Sequence, residues 1–119
     1  MRKIIFAAAL LCMGLNLGVA LDNSGEPDLE HGKWLFDRWC VHCHGVGMPA
    51  SAALAVTYAG TDISPVIDER EGFFTPELVE TFVRNGAYSM PFFRKIEIND
   101  KDMYDLGSYL SRDRSKDKK

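Results

Sequence analysis

The sequence predicts an all-α domain in which three main helices and their connecting loops wrap around one internal ligand, and three observations predict it. Apolar residues recur at helical spacing in three stretches, each preceded by a residue suited to cap a helix. No stretch alternates apolar and polar residues as a half-buried strand does. A domain of this size also buries a modest fraction of its surface and gains from a staple or an internal ligand, and Cys40 and Cys43 are spaced as a pair able to hold one.

In chain order, residues 1–20 have the layout of a secretory signal. Arg2 and Lys3 supply the positive start, an apolar run extends from Ile4 through Leu11 and with little interruption to Val19, and Gly18-Val19-Ala20 places small residues before a cut after Ala20. An uncleaved anchor is the rival reading, since roughly 17–20 apolar residues span a bilayer. Asn16, the glycines and the small residues at the end favour removal. Removing 20 of 119 residues leaves 99, deletes Cys12, and delivers Cys40 and Cys43 to an oxidising compartment, the periplasm, with no membrane insertion of the mature chain.

Residues 21–111 form the folded domain and 112–119 a basic, flexible tail. The first helix runs from Leu29 to Trp39 with Asp28 as N-cap after Pro27, and sets Gly32, Leu35, Phe36 and Trp39 on one face. Gly45 to Pro49 reads as loop, Ser51 to Ala59 as a short helix, and Thr61 to Phe74 as irregular. Thr75 caps the next helix, Pro76 takes its first position, and it ends at Asn85 with Gly86 able to take φ > 0. The last helix begins at Asn99 or Asp100 and runs to Ser111, turning Met103, Leu106, Tyr109 and Leu110 inward. Gly32 and Gly107 are small enough to let the first and last helices cross closely, or else are simply tolerated on a surface.

The whole chain carries 14 basic and 17 acidic side chains, a net charge of -3, and offers no electrostatic reason to bind nucleic acid. Without residues 1–20 the count is 12 against 17, or -5. The charge is uneven: residues 21–111 hold 7 basic and 15 acidic side chains, whereas 112–119 hold 5 and 2. An acidic body suits a partner with a basic docking face, met at a salt-dependent rate.

The chemistry lies in Cys40-Val41-His42-Cys43-His44, the C-x-x-C-H pattern of covalent c-type haem attachment. Two thiols three residues apart on a turn of helix meet one edge of the macrocycle and add to its two vinyl groups. His44, next in sequence, is carried beneath the iron as proximal ligand. A thioredoxin-like redox pair would need a βαβ context. A structural zinc site would need four ligands, and only His31, His42 and His44 stand beside the two thiols. A simple disulfide is the remaining rival.

A low-spin electron-transfer haem needs a sixth ligand, and a methionine thioether raises its reduction potential. Met48 lies four residues past His44, too close to reach the other face, and Met103 falls on the apolar face of the last helix. Met90, which follows the helix end at Asn85-Gly86 and precedes Pro91, is the distal candidate, with His42 and His31 as fallbacks. Phe73, Phe74, Tyr88, Phe92 and Phe93 could wall the haem or be plain core. Arg84, Arg94 and Lys95 bracket Met90 and pair with haem propionates, form a docking rim, or are solvated charges. Six-coordination leaves no site for substrate, so the reading is an electron carrier with no catalytic residues. A sensor or peroxidase would require Met90 to be displaceable.

These residues identify a resemblance to the single-haem, class I c-type cytochromes, covering nearly all of residues 28–111. It rests on the N-terminal helix with aromatics, CVHCH, the TPELVETFVRNG helix, the SMPFF loop and the closing helix. The resemblance implies the cytochrome c fold, with haem c filling the core, crossed terminal helices and one exposed haem edge. It also implies a proline carbonyl accepting the hydrogen bond of the proximal imidazole, a role Pro49 is placed to take. More narrowly, RNGAYSMPFFRK followed by an acidic helix is similar to the cytochrome subunits of p-cresol methylhydroxylase-like flavocytochromes. That likeness implies a flavoprotein dehydrogenase as electron donor and a further redox protein downstream. A free diffusible carrier serving a respiratory chain or another dehydrogenase is the alternative.

Overall fold

The computed structural model describes residues 25–116, so the secretory signal read over 1–20 and the end of the basic tail lie outside the described residues. Helix α1 (Leu29–Trp39) starts where the Asp28 side chain accepts the His31 N–H at 2.9 Å, satisfying a donor that the first turn leaves free. The chain barely pauses at Cys40 before α2 (Val41–His44), whose last amide donates to the Cys40 carbonyl at 2.8 Å. Helix α3 (Pro49–Thr57) begins before the expected Ser51 and ends before Ala59. The cause is Pro49, whose fixed φ and missing N–H suit the first helical position, so it belongs to the helix and not to the preceding loop.

Residues 61–74 are irregular apart from a single 3-10 turn at Ile67–Glu69. Helix α4 (Pro76–Asn85) has Thr75 Oγ1 accepting from Leu78 N–H, proline at its start and Gly86 at its end with φ 69°. Helix α5 (Asp100–Ser111) opens with a reciprocal cap: Asn99 accepts from the Asp102 amide at 2.9 Å and Asp102 accepts from the Asn99 amide at 3.1 Å. Of the two expected starts, the helix begins at Asp100, with Asn99 as its cap.

Helix α5 packs on both α1 and α4 and makes the floor of the domain. The core consists of Leu35 and Phe36 from α1, Val79 and Val83 from α4, Ile98, and Met103, Leu106, Tyr109 and Leu110 from α5. Burying Leu35 and Leu106 contributes roughly 1.5–3 kcal/mol each. Gly32 lies in the α1–α5 crossing, where a Cβ would stand 2.3 Å from the Asp105 carbonyl oxygen and 2.6 Å from Tyr109 Cβ. Gly107 has a different neighbour from the one the sequence suggests. Its missing Cβ would meet Pro76 at 3.1–3.2 Å, so it seats the start of α4 and not α1.

The crossing also holds a buried charge. The Asp105 carboxylate is fully enclosed and accepts from Asp28 N–H at 3.0 Å, His31 Nδ1 at 2.9 Å and Lys101 Nζ at 2.7 Å. A carboxylate only accepts, so His31 carries its proton on Nδ1. At the other end of α5, the basic segment is held down at its first turn: Arg112 and Arg114 reach Asp68 Oδ1 at 3.4 and 3.2 Å, and Arg114 donates to the Arg70 carbonyl at 2.5 Å.

Candidate functional site

The direct passage from α1 into α2 places Cys40, Cys43 and His44 on one turn at the edge of the core. Cys40 is half-buried and Cys43 exposed, and they are not joined to each other. Burial, and then the neighbouring Cys43, push the Cys40 thiol up to about 12. Redox-active cysteine pairs need the opposite shift, toward thiolate, so the thioredoxin-like reading has no support in this geometry. Among the described residues no group of three or more His, Cys, Asp or Glu side chains is placed to hold a metal ion by itself, which removes the support for zinc.

His44 is half-buried, and burial first and the Arg70 guanidinium second hold its imidazole below the ordinary histidine pKa. A neutral imidazole is the form that ligates iron. Its Nδ1 is buried without a hydrogen-bond partner among the described residues. The bond expected to the Pro49 carbonyl is therefore not made, because Pro49 is drawn into the first turn of α3. Pro49 at a helix start was a readable alternative to Pro49 in a loop, since proline favours that position.

The loop bearing Met90, expected to be the distal loop, is closed at both ends on α4. Gly86 N–H donates to Phe82 O at 2.8 Å and Phe93 N–H to Val83 O at 2.8 Å, while Ala87 and Met90 exchange amide bonds of 3.2 and 2.8 Å across a tight turn. Tyr88 takes φ 53° in that turn and is fully exposed. Gly86 is required twice over: its φ is left-handed, and a Cβ would stand 2.6 Å from the Met90 carbonyl oxygen. Met90 is thereby fixed at the rim of the core. There it packs, half-buried, on the same core cluster as Cys40, Val41, Ile67, Phe74 and Phe93.

That rim joins residues from α1, α2, the 61–74 segment and the distal loop around one apolar surface. It fits haem: an apolar ring system, two thiols on one edge, a neutral imidazole with an unpaired nitrogen, and a thioether on a separate loop. The other candidates go elsewhere. Met103 is core, Met48 is the exposed N-cap of α3, His42 is exposed, and His31 is held by Asp105.

The aromatics divide. Phe93 sits edge-on to Trp39 with ring centroids 5.8 Å apart, Phe73 and Phe74 stack edge-to-face at 5.0 Å, and Phe92 faces solvent with Tyr88. Arg84 has a different task from the propionate or docking contact expected of it. It donates to Phe93 O at 3.2 Å and Ile98 O at 2.8 Å, clamping the chain that returns from the distal loop. Arg94 pairs with Glu97 at 2.7 Å on the surface, and Lys95 with Asp100 at 2.8 Å. The residue that sequence reasoning missed is Arg70, which is 6% exposed and enclosed by the rings of Tyr58, Phe73 and Phe74 at 4.7, 4.8 and 5.8 Å. A lone arginine in an irregular segment carries no spacing signal, and only the Phe73-Phe74 pair hinted at enclosure.

Comparison with known proteins gives the family. A family profile described as "Cytochrome C oxidase, cbb3-type, subunit III" matches residues 27–110. The chain is 29% identical over 115 residues to the 4-cresol dehydrogenase (hydroxylating) cytochrome c subunit of Pseudomonas putida, a match covering 92% of this chain and 83% of that one. Among solved structures, cytochrome c6 of the diatom Phaeodactylum tricornutum superposes with a TM-score of 0.42 at 20% identity, covering 70% of this chain and 90% of that one.

Proposed function

Because the chain belongs to the c-type cytochrome family described as cytochrome c oxidase, cbb3-type, subunit III, we propose that it carries electrons in the periplasm through a single haem with His44 as proximal and Met90 as distal ligand. The chain is an electron-transfer protein with covalently bound haem c and is not itself a catalyst. Bound haem supplies one-electron redox chemistry at its iron. Cys40 and Cys43 tether it, His44 offers a neutral nitrogen, and the rim from Trp39 to Phe93 keeps water away. The observation that carries the reading is that Cys40 and Met90, fifty residues apart, pack on the same core cluster. Arg94, on the surface beside Glu97, is the candidate for a docking or propionate contact.

The proposed donor is a flavoprotein dehydrogenase of the alkylphenol-oxidising type, supported by the likeness to the cresol dehydrogenase subunit and by the acidic body of residues 21–111. A downstream redox protein then receives the electron. Export through the 1–20 segment completes the proposal, and among the described residues no helix is long and apolar enough to cross a membrane. The test is spectroscopic. The ferric protein should show the weak far-red methionine-to-iron band, Met90→Ala should lose it, and the ferrous protein should not bind CO at neutral pH. Rapid CO binding by the unaltered protein would replace the carrier reading with a sensor or peroxidase. Co-purification of a flavin-containing protein would separate a subunit from a free carrier.

A further inference from the structure

The chain between α3 and α4 is built as a separate flap. Gly60 and Gly72, near its two ends, take φ of 80° and 65°, and a Cβ at either would meet nothing within 4 Å. Neither glycine makes room for a neighbour, so what each supplies is backbone freedom at a bend. Between them the polar bonds are short-range. Ser64 Oγ accepts from Val66 N–H at 3.1 Å and donates to Glu69 at 2.9 Å, and the Glu69 and Arg70 amides donate to the Val66 and Ile67 carbonyls at 3.1 and 3.3 Å. The flap reaches the core through Ile67, which packs on the cluster that also receives Cys40 and Met90.

What ties the flap down comes from the other end of the sequence. Beyond α5 the chain folds back on itself: Asp113 accepts from the Ser115 amide at 3.0 Å, and a 3-10 turn forms at Arg114–Lys116. From that turn Arg114, only 13% exposed, donates to the Arg70 carbonyl at 2.5 Å and to Asp68 Oδ1 at 3.2 Å. Arg112 reaches the same carboxylate at 3.4 Å while its guanidinium lies over the Tyr109 ring at 3.9 Å. Burial, and then the hydrogen bond with Asp68, push the Tyr109 phenol up to about 12. Among the described residues, the hydrogen bonds that join the flap to an element distant in sequence lead to the last turn of α5 or to the residues just after it. A guanidinium fork that satisfies a carboxylate and a carbonyl together is a specific latch, whereas a solubilising tail would leave its arginines in water.

We propose that residues 61–71 form a hinged lid over the haem cradle, and that Arg112–Lys116 is the strap that latches it by gripping Asp68. The inference rests on the haem-carrier reading above, though not on the identity of the sixth ligand. An electron carrier holds most of its haem away from water, and a flap tied only to itself does not do so unaided. Hinges are a few positions that absorb the backbone change, and Gly60 and Gly72 are placed to be those positions. Swinging there lifts Ile67 from the core and opens the cradle; the strap holds it shut.

The experiment is amide hydrogen exchange followed by mass spectrometry on the haem-loaded full-length protein, Asp68→Asn, Arg114→Met and the double variant. In each single variant the amides of residues 63–70 should exchange about tenfold faster, the scale of one hydrogen bond to a charged group, while those of α1 and α4 keep their protection. The double variant should exceed the larger single effect by no more than about threefold, since both side chains belong to one latch. In the same variants the Soret band should respond more strongly to added ethylene glycol, the sign of a haem more open to solvent.

Unchanged exchange over 63–70 in Arg114→Met would overturn the latch. Equal acceleration in the flap, α1 and α4 would overturn it as well, since the strap would then serve only the stability of the whole domain. Effects that multiply fully in the double variant would show that Asp68 and Arg114 act separately. A faster-exchanging flap with an unchanged Soret response would refute the lid, because the flap would then not cover the haem. A missing far-red band in the unaltered protein would instead refute Met90 ligation, and the exchange series would still decide the strap. Should Asp68→Asn fail to fold, Arg114→Met, which alters a residue beyond the last long helix, decides alone.

Discussion

Replacing Asp105 by alanine tests whether the α1–α5 crossing is held by charge as well as by packing. The substitution leaves the Asp28 amide and His31 Nδ1, at 3.0 and 2.9 Å from the carboxylate, without their acceptor in a site of 0% exposure. Hydrogen bonds to a charged group are worth roughly 1.5–3 kcal/mol each. The His31 contribution shrinks because its side chain is 37% exposed, and the Lys101 contact is left out of the sum because that side chain lies in solvent. Relief of the carboxylate's own desolvation cost offsets part of the loss. The net expectation is a destabilisation of about 2–3 kcal/mol, or roughly 10–20 °C in Tm for a domain of this size.

Urea unfolding of the haem-loaded protein, followed by far-ultraviolet circular dichroism, measures it. A loss below about 0.5 kcal/mol would refute the view that the carboxylate fastens the crossing. The pH dependence supplies a second check. Desolvation works to raise the Asp105 pKa, but the hydrogen bonds from Lys101, His31 and the Asp28 amide outweigh it and hold the carboxyl below its ordinary value. A depressed folded-state pKa gives stability that is complete above the unfolded carboxylate value, about 3.9, and is lost as the pH falls through the folded one. The stability difference between the unaltered protein and Asp105→Asn should therefore shrink as the pH is lowered below about 4. A difference that stayed constant down to pH 2 would contradict the assignment.

Two glycines give sharper steric tests. Gly32→Ala gains about 1 kcal/mol of helix propensity, yet it forces a methyl against the Asp105 carbonyl and Tyr109 Cβ, and a net loss of about 2 kcal/mol should appear in the same urea assay. Gly86→Ala meets both a left-handed φ and the Met90 carbonyl oxygen, so it should weaken the far-red band and cost about 1–3 kcal/mol; a full-strength band would show that the distal loop does not depend on this turn.

What could be read from the sequence, and what could not, divides by range. The caps at Asp28, Thr75-Pro76 and Asn99 were legible because each satisfies a donor within three residues of itself. The haem motif was legible for the same reason, since thioether attachment demands its spacing locally. Pro49 was misplaced because two local rules, loop after Gly45 and helix start at proline, competed at one residue. Gly107 and Arg70 were opaque because their partners come from afar: Pro76 lies thirty-one residues before Gly107, and the Arg114 clasp spans forty-four. No window along the chain contains both members of such a pair.

The long-range contacts nevertheless share one element, and that bears on function. Helix α1, which delivers Cys40 through His44, and α4, which anchors the loop bearing Met90, both pack on α5. From its middle α5 holds α1 through Asp105, and beyond its end the chain holds the Arg70 carbonyl through Arg114, which also reaches Asp68. On the proposed ligation, the separation of His44 and Met90 is then set through one shared helix and not by two independent loops. Efficient electron exchange requires both ligands to keep their places in both oxidation states, and loosening α5 should therefore disturb the two sides together. A variant at Asp105 that lost α1 packing but left the far-red band and the potential untouched would show that the distal loop keeps its own geometry.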